Sequence, residues 1–138
     1  MRMPEAEARR RLGAARVGRL ATVSATGQPH LVPVTFALEG DLIYTAVDAK
    51  PKTTRDLRRL SNIRANPRAT VLADHYDEDW ARLWWVRADG AASIIADPAG
   101  MSGPVAALAR RYPQYLSDPP AGPVIAILID RVTGWSAS

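Results

Sequence analysis

Between residues 19 and 47 three β-rich stretches follow one another with only turn residues between them. Residues 19–25 (RLATVSA) lead into Thr26-Gly27-Gln28-Pro29, residues 30–38 (HLVPVTFAL) into Glu39-Gly40-Asp41, and residues 42–47 (LIYTAV) complete the run. Parallel neighbours need a crossover of roughly a dozen or more residues, which these turns cannot supply. The run therefore reads as an antiparallel meander, with Gly27 and Gly40 as turn residues and Pro33 marking an edge or a bulge.

The rest of the chain extends that pattern. Residues 4–16 open with Pro and acidic residues and turn basic, the order that suits a helix and its dipole, with Gly18 expected to break it. Residues 53–65 carry Leu57, Leu60 and Ile63 at three-residue intervals, a helical stripe capped by Thr53 or Thr54 and stopped at Asn66-Pro67. A strand over 68–76 follows, then the acidic turn Asp77-Glu78-Asp79. Residues 82–96 form a bent strand or a hairpin pivoting near Asp89-Gly90. A helix over 102–112 capped by Ser102, a Pro/Gly linker over 117–123 and a buried strand over 124–135 complete the order α-βββ-α-ββ-α-β. Strands dominate, so the expected fold is mainly β (α+β), an antiparallel barrel of about six to seven strands with helices packed outside it.

Composition narrows what such a barrel can do. The chain has 138 residues, enough for one domain over 1–138. It has no cysteine, which removes disulfides, thiolate metal sites and a cysteine nucleophile. The longest apolar run, over 124–129, falls far short of the ~20 residues of a membrane helix. The N-terminus carries no apolar signal core, so a cytoplasmic protein without membrane contact is expected. Net charge is +4, too low to imply nucleic acid by itself. The basic residues are sixteen Arg and only two Lys, and both lysines fall in Lys50-Pro51-Lys52.

Three constellations carry possible chemistry. In the first, Lys50, Lys52, Arg55, Arg58, Arg59, Arg64 and Arg68 follow a strand end at Tyr44-Thr45 and surround a helix start at Thr53-Thr54. Backbone N–H groups, hydroxyls and cations converge at such a place and suit a phosphate. For Arg58, Arg59 and Arg64 a solvated helix face is the favoured reading, while the position of Lys50 and Lys52 favours anion binding. In the second, His75, Tyr76 and Trp80 are flat side chains near a strand end that can line a ring-shaped ligand, while Asp77, Glu78 and Asp79 read as a solvated turn. In the third, Trp84 and Trp85 fall on opposite faces of a strand, one toward the core and one toward a partner, with Trp135 near the C-terminus. No elbow nucleophile, P-loop or dinucleotide fingerprint is present, so hard chemistry would belong to a cofactor.

Several segments together resemble the pyridoxamine 5′-phosphate oxidase-like split-barrel superfamily. They are Gly27-Gln28-Pro29-His30 with Val32-Pro33-Val34, Leu42-Ile43-Tyr44-Thr45, Lys50-Pro51-Lys52-Thr53, Asn66-Pro67-Arg68-Ala69-Thr70-Val71-Leu72 and Val86-Arg87-Ala88-Asp89-Gly90-Ala91-Ala92. Within it the chain is similar to the short actinobacterial branch that uses coenzyme F420. The resemblance implies a split β-barrel homodimer with two cofactor sites between the subunits. Lys50, Lys52 and Thr53 would grip the cofactor phosphate, and Arg55 the extra carboxylates of an F420 tail. Tyr44, Thr45 and Ala46 would lie along the ring or ribityl chain, and His75, Tyr76 and Trp80 would close the site. The implied activity is hydride transfer between F420 and an unsaturated or quinone-like small molecule. FMN in the same fold is the alternative, and a flavin, deazaflavin or haem carrier, with His30 or His75 as haem ligand, is a further one. The chain lacks the C-terminal extension of true pyridoxamine phosphate oxidases, so vitamin B6 oxidation is not expected.

Overall fold

The structure is a computed structural model that describes residues 1–47 and 57–138. Within it lie seven strands, four α-helices and one 3₁₀ turn, in the order α1 (Glu5–Ala14), β1 (Gly18–Val23), β2 (Pro29–Val34), β3 (Ala37–Glu39), β4 (Leu42–Ala46), α2 (Arg58–Ala65), β5 (Arg68–His75), the 3₁₀ turn (Trp80–Arg82), β6 (Trp84–Ile95), α3 (Pro98–Arg111), α4 (Gln114–Ser117) and β7 (Val124–Ser136). All strands join one antiparallel sheet in the order β2-β1-β5-β6-β7-β4-β3.

That order corrects the expected meander. Residues 30–38 are not one strand: the chain leaves β2 at Val34, and Thr35-Phe36 carries it to β3 at the opposite edge of the sheet. Laid flat, seven strands would separate those edges by about 29 Å, six spacings of ~4.8 Å. Val34 and Ala37 are three residues apart and so no more than about 11 Å. The sheet must therefore curl until its edges nearly meet. The two-residue crossover is what makes it a barrel. Phe36, 1% exposed, plugs the seam.

Inward side chains follow the period of two: Leu20 and Thr22, Ile43 and Thr45, Val71 and Ala73, Val86 and Ala88, Ile125 and Ile127 are all buried. The long pair β6–β7 keeps that phase through a bulge. Asp89 faces Arg131 but Gly90 faces Ile129, so Asp130 is the extra residue. Ile127 and Ile129 point inward before the bulge, and Val132 and Gly134 lie toward the inside after it. Arg131 is thereby kept out. The bulge also decides between the two expected forms: residues 84–95 are the bent strand and not the hairpin, with Gly90 inside it.

Other boundaries move as well. The first helix ends at Ala14, and Gly18 begins β1 instead of ending the helix. Helix α2 begins at Arg58 with Leu57 at its N-cap position and no side-chain cap, while Thr53 and Thr54 lie outside the described residues. Helix α3 starts at Pro98, and its cap is Asp97, whose carboxylate accepts from Gly100 N at 2.7 Å, not Ser102. The gain is an earlier start that Pro at the first turn favours. Helix α1 packs over β6 and β7, α2 over β1 and β6, and α3 over β3, β4 and β7. No helix among the described residues is long and apolar enough to cross a membrane.

Candidate functional site

Two recesses of different chemistry lie on the barrel. The first is a cavity of about 260 Å³ lined by Val17, Pro33, Val34, Thr35, Thr45, Ala46, Arg59 and Tyr115. Its polar side is built on the crossover. Thr45, 3% exposed, donates its hydroxyl to the Thr35 carbonyl at 2.7 Å, and the Thr35 hydroxyl lies 2.9 Å from the Tyr115 hydroxyl. Tyr112 meets Tyr115 edge-on, and its own hydroxyl accepts from Phe36 N at 3.2 Å. It also sits 3.0 Å from the carbonyls of both Arg16 and Phe36. The turn from α3 to α4 is thus tied to the crossover at two points, which fixes three hydroxyls around one space. Arg59 from α2 adds a cation.

The second recess, about 410 Å³, is lined by Leu72, Asp74, His75, Tyr76, Leu83, Trp84, Trp85, Arg87 and Trp135. His75 stacks on Trp84 with ring centroids 6.3 Å apart and planes 19° apart, and the Arg11 guanidinium sits 5.3 Å from the same indole. Trp85 lies opposite Trp135, with Arg87 5.5 Å from its ring. The Trp80 indole N–H donates to the Tyr76 hydroxyl over a long 3.4 Å, and both rings are well exposed, at 67% and 63%. This is an open aromatic groove suited to the face of a flat ring.

Sequence-expected residues fall into these two recesses. Thr45 and Ala46 line the cavity, while Tyr44, on the face of β4 opposite Thr45, packs with Ala46 against Ala37, Ala107 and Leu108 under α3. His75 and Tyr76 line the groove, and Trp80 reaches it through Tyr76. Along the ladder Ala46 faces Val124, which faces Ile95, whereas His75 faces Trp84, which faces Ser136. Across β1–β5 the two recesses are neighbours: Arg19, two residues from the cavity's Val17, faces Leu72 of the groove, and its guanidinium lies 3.9 Å from Asp74. Lys50, Lys52, Thr53 and Arg55, with the expected helix start at Thr53-Thr54, lie outside the described residues.

Sequence reasoning missed Val17, Thr35 and Tyr115. Thr35 sits where a continuous strand was expected, and Tyr115 where the chain leaves a helix, so no periodicity marks either one. The two histidines stand apart too. His30 faces Thr22 on β1, and Ala21 faces Thr70, so His30 lies toward the Arg68 end of β5 while His75 ends that strand.

On the outer sheet face a larger recess, about 550 Å³, is crossed by the Arg68–Asp130 fork at 2.6 and 3.2 Å and by Thr70 donating to Asp89 at 2.7 Å. The guanidinium of Arg68, bonding and facing the carboxylate, holds Asp130 below the usual carboxylate range, and Asp130 in turn raises Arg68. No helix among the described residues lines this recess.

The pyridoxamine 5′-phosphate oxidase family matches residues 4–136. The chain belongs to this family. Its fold recurs in solved structures. One is a conserved hypothetical protein, Rv2991, from Mycobacterium tuberculosis, with 25% identity, TM-score 0.77, and coverage of 98% of this chain and 86% of the other. A second is an FAD-binding protein from Mesorhizobium loti, with 25% identity, TM-score 0.72, and coverage of 97% and 93%. The haem storage protein HutZ from Vibrio cholerae shares the fold at 15% identity, TM-score 0.72, with 99% and 95% covered. Among curated proteins none matches. The antiparallel split barrel expected from sequence is therefore the fold of this family member.

Proposed function

We propose that this chain forms a homodimeric, coenzyme F420-dependent oxidoreductase, with each cofactor site built from the cavity of one subunit and the aromatic groove of the other. The observation that supports the reading is a pair of recesses of complementary chemistry, one lined by hydroxyls and Arg59 and the other open and aromatic, the first at about 260 Å³ too small for a whole cofactor. The outer sheet face, with Leu31 65% exposed beside Pro29 and Pro33, offers an apolar surface for that second copy.

The donor set fits the cofactor. Hydroxyls of Thr35, Thr45 and Tyr115 with the Arg59 cation suit a ribityl phosphate, and Lys50, Lys52 and Thr53 follow β4 in the sequence. The apolar side of the cavity, Val17, Pro33 and Val34, holds the chain off water. The groove's His75, Tyr76 and Trp80 cover a ring face, orient it and exclude water from the acceptor. When bound, the deazaflavin supplies a hydride to an unsaturated or quinone-like acceptor. A flavin is the second reading, favoured by the similarity to the Mesorhizobium loti FAD-binding protein.

Subunit complementation tests the composite site. Arg59→Ala damages the cavity and Tyr76→Ala damages the groove, so each homodimer should bind F420 or FMN weakly. When the two are co-refolded, half the dimers are mixed and each mixed dimer has one intact site of two. Roughly a quarter of all sites should then recover full affinity, as two-fold symmetry requires. A monomer in solution, or mixed samples that only average the two variants, would refute it.

A further inference from the structure

Beyond the crossover lies a third recess, about 310 Å³, in which three guanidiniums face one carboxylate: Arg16, Arg110 and Arg111 against Glu39. The charges are not balanced within it. Arg110 reaches Glu39 only at 3.4 Å. Arg111 spends both terminal nitrogens on the carbonyls of Gly13 and Ala15 at the end of α1, and Arg16 donates to the Arg111 carbonyl at 2.7 Å. Carbonyl oxygens hold these guanidiniums in place without neutralising them. Arg16 and Arg110 are exposed, so the excess charge faces solvent.

The recess adjoins the hydroxyl-lined cavity. Val17 lines one and Arg16 the other, and their Cα atoms are about 3.8 Å apart across one peptide. Likewise Thr35 lines the cavity and Ala37 the recess, two residues further along the crossover. At about 260 Å³ the cavity is smaller than a typical ligand pocket of ~300–1,000 Å³, so it takes part of a ligand and the remainder must lie outside. A ligand leaving over Val17 meets the arginines next.

We infer that the Arg16–Arg110–Arg111 recess is an anion subsite that receives a carboxylate-bearing tail continuing from a phosphate held in the adjoining cavity. The inference rests on the F420 reading, since FMN ends at its phosphate. The arginines hold the tail as fixed positive charges, with Arg110 exchanging Glu39 for a ligand carboxylate.

Binding by fluorescence titration at low salt tests this with three probes: F420 with its glutamate tail, the same deazaflavin phosphate without glutamates, and FMN. Arg110→Glu and Arg16→Gln should each weaken the tailed cofactor by about 10-fold, less at high salt, and leave the other two probes unchanged. Arg16→Lys, which keeps the charge, should recover most of the loss. Equal losses for all three probes, or none for any, would overturn the subsite and leave the cofactor reading standing. A parent protein that binds FMN but neither deazaflavin would overturn both.

Discussion

A methyl group at position 90 would lie 2.3 Å from the Leu128 carbonyl oxygen, 2.8 Å from the Leu128 carbonyl carbon and 2.9 Å from Ile127 Cγ2. Gly90→Ala therefore cannot be absorbed by a side chain turning aside, because two of the three obstacles are backbone of the paired strand. To reach ordinary contact the β6 and β7 backbones must part by about 1 Å at the bulge, where the ladder already carries an extra residue. Overpacking costs typically 1–3 kcal/mol, and a rigid backbone obstacle puts this case at about 3 kcal/mol. For a chain of this length that is roughly a 10 °C fall in melting temperature. The control is Gly13→Ala in α1, where the new Cβ meets only Leu38 at an ordinary 3.5 Å. There the lower cost of ordering alanine in a helix should raise stability by about 0.5 kcal/mol. Thermal and urea unfolding followed by circular dichroism measure both. A Gly90→Ala protein within about 0.5 kcal/mol of the parent would show that the bulge yields freely and that the β6–β7 pairing does not hold position 90 against the Leu128 backbone.

Two further outcomes follow from buried and exposed polar pairs. Asn62, 2% exposed, donates to the Thr22 hydroxyl at 3.0 Å beneath α2. Asn62→Leu should cost about 1–3 kcal/mol by orphaning Thr22, and adding Thr22→Val should return most of it, measured by urea unfolding; a double variant as weak as the sum of the singles would refute this. Asp130 is held below the usual carboxylate range chiefly by its hydrogen bond to Arg68, so its contribution is complete above the unfolded value of about 3.9 and is lost as pH falls through the lower folded value. Asp130→Asn should narrow the gap in melting temperature between pH 7 and pH 3; an unchanged gap would show that the fork does not couple to folding.

Much of this protein was legible from local chemistry. Short turns without room for crossover helices forced antiparallel pairing, and the strand-like composition of 68–76 and the apolar run that opens 124–135 marked strands that are buried on at least one face. Pro33 told of an edge because it lacks a ladder donor. The aromatic run from His75 to Trp80 advertised a groove through side-chain type alone. These properties belong to each segment by itself, so they survive translation into three dimensions. What tertiary structure alone decided is which segments meet. Thr35 and Phe36 look like any strand residues, yet they carry the chain between opposite edges of the sheet, because curling the sheet buries Phe36. Gly90 looks like a turn, yet the strand runs through it, since the long pairing with β7 outweighs its local preference. Which side chains border the cavity and which the groove depends on register, a sum over pairings that no window of sequence contains.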